Sequence, residues 1–146
     1  MQRMREGDSL LQSADLKGAC EAYNETVELL PTWWMPHLAI VRCGRFADVS
    51  LAALLDHARF AVKARPQLPI THAQLGLVLE ESGDAPAATR SYEAALRIDP
   101  TQFEVRYRLG VLLARAGDAK RARRHLERVV ELRPDPVVAR RHLASL

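Results

Sequence analysis

An all-α solenoid is the fold this sequence predicts: four helical hairpins stacked in a row and closed by a last helix. Three observations predict it. Pro31, Pro66, Pro100 and Pro134 stand 35, 34 and 34 residues apart, each ending an apolar-periodic run: VELLP, AVKARP, LRIDP and VELRP. Two long segments, beginning at Thr71 and Val105, superimpose when one is shifted by 34 residues. Within them, apolar residues recur at helical spacing. A period in this range marks a repeat architecture, in which one unit cannot bury its apolar face but stacked units can.

Each copy reads as two helices. Copy one (about 1–33) is loose but in phase, with Gly7, Leu10, Asp15, Ala19, Tyr23 and Pro31. Copy two (about 34–68) is degenerate. Its first helix is expected from Pro36 to about Phe46, with Ile40-Val41 where the other copies have Leu-Gly. Gly44–Asp48 replaces the usual turn and holds the extra residue. Ser50 then caps a helix carrying Leu51, Leu54, Leu55, Ala58, Ala61 and Val62.

Copies three (about 69–102) and four (about 103–136) agree closely. Leu75-Gly76, Leu79, Gly83-Asp84-Ala85 and Ala88 fall on Leu109-Gly110, Leu113, Gly117-Asp118-Ala119 and Ala122. Tyr92 and Ala95 fall on Leu126 and Val129. The Gly of each Gly-Asp pair accepts the left-handed conformation that closes the first helix. The Asp caps the second. Gly76 and Ala88 let two backbones approach closely. After Pro134, Asp135-Pro136 is a start signal for a capping helix over 137–146, running from Val137 to about Ser145. One domain over residues 1–146 is therefore expected.

Composition narrows the function classes. Of 146 residues, 48% are hydrophobic and 27% charged, the balance of a folded, water-soluble chain. No run approaches a membrane span, and the N-terminus lacks the apolar core of a secretory signal, so the chain is expected to be cytoplasmic or a piece of something larger. Cys20 and Cys43 form no C-x-x-C and are expected to be small buried hydrophobes. The net charge of +3 is uneven, and Lys120 to Arg141 is the densest basic stretch. Lys120, Arg121, Arg124 and Arg128 are expected on an outward face beside Glu127 and Glu131. No aromatic residues flank them for base stacking, which weighs against nucleic acid.

Nothing in the chain points to catalysis, a metal or a cofactor. There is no Gly-rich phosphate loop, G-x-S-x-G or H-E-x-x-H. None of His37, His57, His72, His125 and His142 has a second His or Cys three or four residues away. The chain is read as a non-enzyme.

The repeat resembles the tetratricopeptide repeat family, whose pattern is W-x2-L-G-x2-Y, then A-x3-F, then P, in about 34 residues. The match is at Leu-Gly, Ala and Pro. The chain departs at the leading Trp, where it has His72 and Arg106, and at the first Tyr, where it has Leu79 and Leu113. The resemblance implies a right-handed solenoid whose first helices line a concave groove for extended peptides or partner helices. By repeat position the implied groove residues are Arg5, Asp8 and Gln12; Ala39, Cys43 and Ala47; Ile70, Ala73, Gln74, Leu77 and Glu81; Glu104, Tyr107, Arg108, Val111 and Arg115; and Arg141. Leu77, Tyr107 and Val111 would form an apolar strip flanked by Arg108, Arg115 and Arg141. Leu77 and Val111 are equally consistent with completing the core between helices. The carboxylate clamp of chaperone-binding members is not expected, because its positions read Met4, Asp8, Ile70 and Gln74.

Trp33 and Trp34 follow the first proline. Trp34 aligns with Phe103 and Val137, so it is expected to pack where one repeat meets the next. Trp33 aligns with Leu68, Gln102 and Pro136, and is the better candidate for an exposed anchor. The resulting expectation is an adaptor that binds a partner protein, peptide or helix, with acidic residues around apolar anchors. The alternatives are a self-assembling scaffold joined at the Trp pair, and a secretion-type chaperone.

Overall fold

The computed structural model describes residues 1–132 and 137–146. Among these, nine helices and no strands are present: α1 (Gln2–Gln12), α2 (Leu16–Leu29), α3 (Trp34–Gly44), α4 (Leu51–Ala64), α5 (Pro69–Glu81), α6 (Ala85–Ile98), α7 (Phe103–Arg115), α8 (Ala119–Leu132) and α9 (Val137–Ala144). Each helix packs on the next along the chain, and α3 also touches α5. The expected role of Pro134 and the Asp135-Pro136 helix start lie outside the described residues.

The hairpin turns follow from local chemistry. Gly83 and Gly117 have φ of 84° and 82°, the left-handed conformation that a side chain opposes. Ala14 and Asp48 hold the same turn position in the first two copies, with φ of 64° and 56°. Asp15, Asp84 and Asp118 cap the following helices by accepting from the N–H of Gly18, Ala87 and Arg121. The Ser50 hydroxyl accepts from Ala53 N–H in the same way. In copy two the first helix ends at Gly44, two residues before the expected Phe46. The chain turns there through Phe46 and Ala47 N–H groups bonded to Cys43 and Gly44 carbonyls.

The two helices of a hairpin approach through a matched pair of positions. A Cβ on Gly7 would lie 2.5 Å from the Tyr23 ring, on Gly76 2.6 Å from Tyr92, and on Gly110 2.9 Å from Leu126. In copy two the sizes are exchanged. Val41 stands at the glycine position and Ala58 at the tyrosine position, and both are fully buried in one cluster. One large and one small residue fill the gap either way, as close packing requires.

The position where the family has Trp carries a side-chain donor in copies two to four. His37 Nε2 meets the Pro31 carbonyl at 3.0 Å, and His72 Nε2 the Pro66 carbonyl at 2.9 Å. Arg106 Nη2 donates to the Pro100 carbonyl at 2.5 Å. A carbonyl only accepts, so each nitrogen carries the proton. These bonds satisfy carbonyls left free where the chain turns from one repeat into the next.

The cysteines depart from expectation. Both are buried, as predicted, but they are bonded to each other across α2 and α3, with Cα atoms 5.9 Å apart. They lie on neighbouring helices of different repeats, a proximity that a spacing of 23 residues does not reveal.

Candidate functional site

The first helices α1, α3, α5 and α7 form the inner face, and its N-terminal half holds a cleft of about 190 Å³. Met4 and Leu11 of α1 face Leu38 and Ala39 of α3 across it, with Trp34 and Met35 at one end. Met35 is 42% exposed, a large apolar side chain left uncovered. Asp8 and Arg42 also line the cleft. Asp8 accepts from the Tyr23 hydroxyl at 2.8 Å. Burial and this bond push the Tyr23 phenol far above its ordinary value, so it remains a donor. Arg42 is exposed and has no ion pair among the described residues.

The C-terminal half of the inner face is closed by its own contacts. The Tyr92 hydroxyl donates to Glu80 at 2.7 Å. Glu80 faces Arg108 at 3.5 Å, and Arg108 also pairs with Glu104 at 3.1 Å. The Tyr107 ring lies 5.7 Å from that of His142, against the cluster that seats α9. Val111 is buried and completes the interior rather than presenting a strip to solvent. Gln74 and Leu77 are half-buried. Glu81 is paired with Arg45. Arg115 and Arg141 are exposed.

Copy two needs a correction. Cys43, implied as a groove position, is fully buried and bonded to Cys20. With the extra residue placed in the later turn, Arg42 is the true counterpart of Leu77 and Val111. Ala73 is likewise buried. Of the implied positions, the cleft gathers Asp8 and Ala39; it adds Leu11, Met35, Leu38 and Arg42, which repeat alignment passed over. Met35, Leu38 and Arg42 are spaced three and four apart on α3, so the stripe was visible as periodicity. Trp33 is half-buried against the N-terminal cluster, not a fully exposed anchor. Trp34 is half-buried too, with the Arg65 guanidinium 5.5 Å from its ring centroid. No helix among the described residues is long and apolar enough to cross a membrane.

Fold and inner cleft together define a helical-repeat protein with a partly apolar cleft between its first helices. Residues 79–144 match the tetratricopeptide repeat family. The rest of the chain continues the same architecture, so the fold is that of a tetratricopeptide repeat solenoid. It is similar to the MamA protein, with 17% identity, a TM-score of 0.88, and coverage of 98% of this chain and 78% of that one. It is also similar to YrrB, described as a TPR protein with an unusual peptide-binding site: 18% identity, TM-score 0.85, 98% and 73% coverage. A third structure, the first TPR of Spaghetti (RPAP3) bound to the HSP90 peptide SRMEEVD, aligns at 14% identity, TM-score 0.73, with 79% and 90% coverage. No curated protein matches the sequence. Tetratricopeptide repeat proteins generally mediate protein–protein interactions.

Proposed function

We propose that the chain is a non-catalytic adaptor that binds a segment of a partner protein on its inner face, seated in the α1–α3 cleft. The observation that carries this reading is the apolar floor of Met4, Leu11, Leu38 and Ala39, with Met35 exposed beside it and Arg42 unpaired at its edge. An apolar anchor of the partner would fill the floor, and an acidic residue would meet Arg42. Of the C-terminal positions, Glu81, Tyr107, Arg108 and Val111 then act mainly to hold the frame, and Gln74, Leu77, Arg115 and Arg141 extend the binding face beyond the cleft. Residues 1–146 act as one domain. The peptide-binding descriptions of YrrB and the RPAP3 repeat support a peptide-binding reading.

Selection from a displayed peptide library tests it. Wild-type protein should enrich sequences that combine an apolar residue with an acidic one. Leu38→Arg should abolish the enrichment, and Arg42→Glu should remove its acidic component. Enrichment lost only in the Tyr107→Ala/Arg108→Glu variant would move the site to the C-terminal half. Equal enrichment in all variants would overturn the assignment.

Self-assembly is the second reading. It rests on Leu29 and Leu30, which are 74% and 46% exposed just before the Trp pair. A mass by light scattering that stays monomeric across concentration would exclude it. A cytoplasmic location remains the reading from the sequence, but the Cys20–Cys43 bond favours an oxidising compartment.

A further inference from the structure

On the outer face, away from the inner cleft, a second opening of about 370 Å³ lies between α6, α7 and α8. Its floor is Leu96 and Leu109, and its walls are Glu93, Arg97, Arg106 and His125. Arg121 of α8 adds a third guanidinium through its ion pair with Glu93. Arg121 also pairs with Asp118, so the carboxylates near the opening are engaged by Arg121, while Arg97 and Arg106 line it with no ion pair among the described residues.

Two buried nitrogens here have no partner, Arg106 Nε and His125 Nδ1. A buried polar group left unmatched loses its hydration without compensation, and such groups call for an explanation. Arg106 is held at one end by the Pro100 carbonyl, which leaves its Nε directed at no acceptor. A cleft of about 390 Å³ occupies the same place one repeat earlier, lined by Arg59, His72, Leu75 and Ser91 among others. No buried side-chain nitrogen there is orphaned among the described residues. The unsatisfied donors belong to the C-terminal cleft alone of these two.

We propose that the α6–α8 cleft binds a phosphomonoester, held by Arg97 and Arg106 with His125 as a further donor. Arg106 and His125 shift slightly to turn their unpaired nitrogens onto its oxygens. The charge fits: Arg121 is taken up by Glu93 and Asp118, and the guanidiniums of Arg97 and Arg106 are left without a carboxylate partner among the described residues, two positive charges that a dianion matches. Guanidinium forks match phosphate oxygens in geometry as well as charge. His125 fits this role. Burial, together with Arg106 of α7 and Arg121 and Arg124 of α8, lowers its pKa, and Glu93 of α6 opposes them only in part. A bound dianion reverses that balance and draws a proton onto the ring.

The test is a proton NMR titration of His125 in the intact chain, with inorganic phosphate, O-phosphoserine or a phosphoserine peptide added at constant ionic strength. Phosphate should give a saturable shift and raise the His125 midpoint, while matched chloride or acetate should not. Arg106→Gln should weaken binding about tenfold or more, the effect of losing a hydrogen bond to a charged group. Arg97→Gln, at an exposed position, should weaken it in a protein whose helicity circular dichroism shows unchanged. A peptide that binds more tightly than O-phosphoserine would identify a phosphorylated partner; equal affinity would identify a small phosphorylated molecule. No saturable shift, an equal response to acetate, or an undiminished response in Arg97→Gln would overturn the proposal.

Discussion

His37 and His57 meet through their Nδ1 atoms at 2.9 Å, joining α3 to α4. The Pro31 carbonyl fixes the proton of His37 on Nε2, so its Nδ1 is the acceptor and His57 donates. Phe60 stacks on His37 with ring centroids 4.0 Å apart. Burial first, and then His37, lower the pKa of His57, while Asp56 opposes them. The unfolded chain therefore binds a proton more readily than the folded one at this site. Stability from this source is complete above the unfolded value near 6.5 and declines as pH falls below it, until the folded ring also titrates. In chemical denaturation at pH 7.5 and 5, His57→Gln should lose less stability on acidification than wild type. An identical loss would show that the pair carries no such linkage.

Gly76→Val should destabilise the third hairpin by about 2 kcal/mol or more, since even a Cβ would meet the Tyr92 ring at 2.6 Å. Tyr92→Ala alone should cost about 3–5 kcal/mol through the cavity it leaves. The double variant reproduces the Val41 and Ala58 pairing of copy two, and should be more stable than the sum of the single losses predicts. A double-mutant cycle read by urea unfolding measures the coupling. Strict additivity would mean that the two positions do not share one gap.

Ala14→Gly should stabilise the protein by about 1 kcal/mol, because Ala14 sits at φ 64°. At the matching position, Gly83→Ala should cost a similar amount at φ 84°, although a Cβ there meets no neighbour within 4 Å. Thermal melts of both variants should move in opposite directions. Movement in the same direction would locate the effect somewhere other than the backbone conformation.

The Cys20–Cys43 bond should contribute about 3 kcal/mol, the value for a loop of this length. Reduced protein, or the Cys20→Ala/Cys43→Ala variant, should unfold at correspondingly lower urea. Alkylation of the denatured protein as it comes from cells, read by mass, should find neither thiol free. Full alkylation would show that the pair is reduced where the protein works.

The repeats were legible because their signals are local. A Gly-Asp pair closes one helix and caps the next within four residues, and proline marks every handover the structure describes. The cleft was harder to see for two reasons. An extra residue in the copy-two turn shifts later positions by one, and a shift of one separates exposed Arg42 from buried Cys43. Groove positions also carry no fixed residue type, so nothing in the sequence says that Tyr107 is taken up by α9 or Arg108 by Glu80. The histidine pair and the disulfide join residues 20 and 23 apart in sequence, and neither distance follows from helical period.

The disulfide has a mechanical consequence. Pulled from its two ends, the oxidised chain can pay out only the residues outside the loop from Cys20 to Cys43. Those 23 residues, at about 3.5 Å each, withhold roughly 80 Å of contour. The joint between the first two repeats lies inside that loop. Force therefore peels α1 from one end and the repeats after Cys43 from the other while α2 stays tethered to α3, and reductant releases the hidden length in one step.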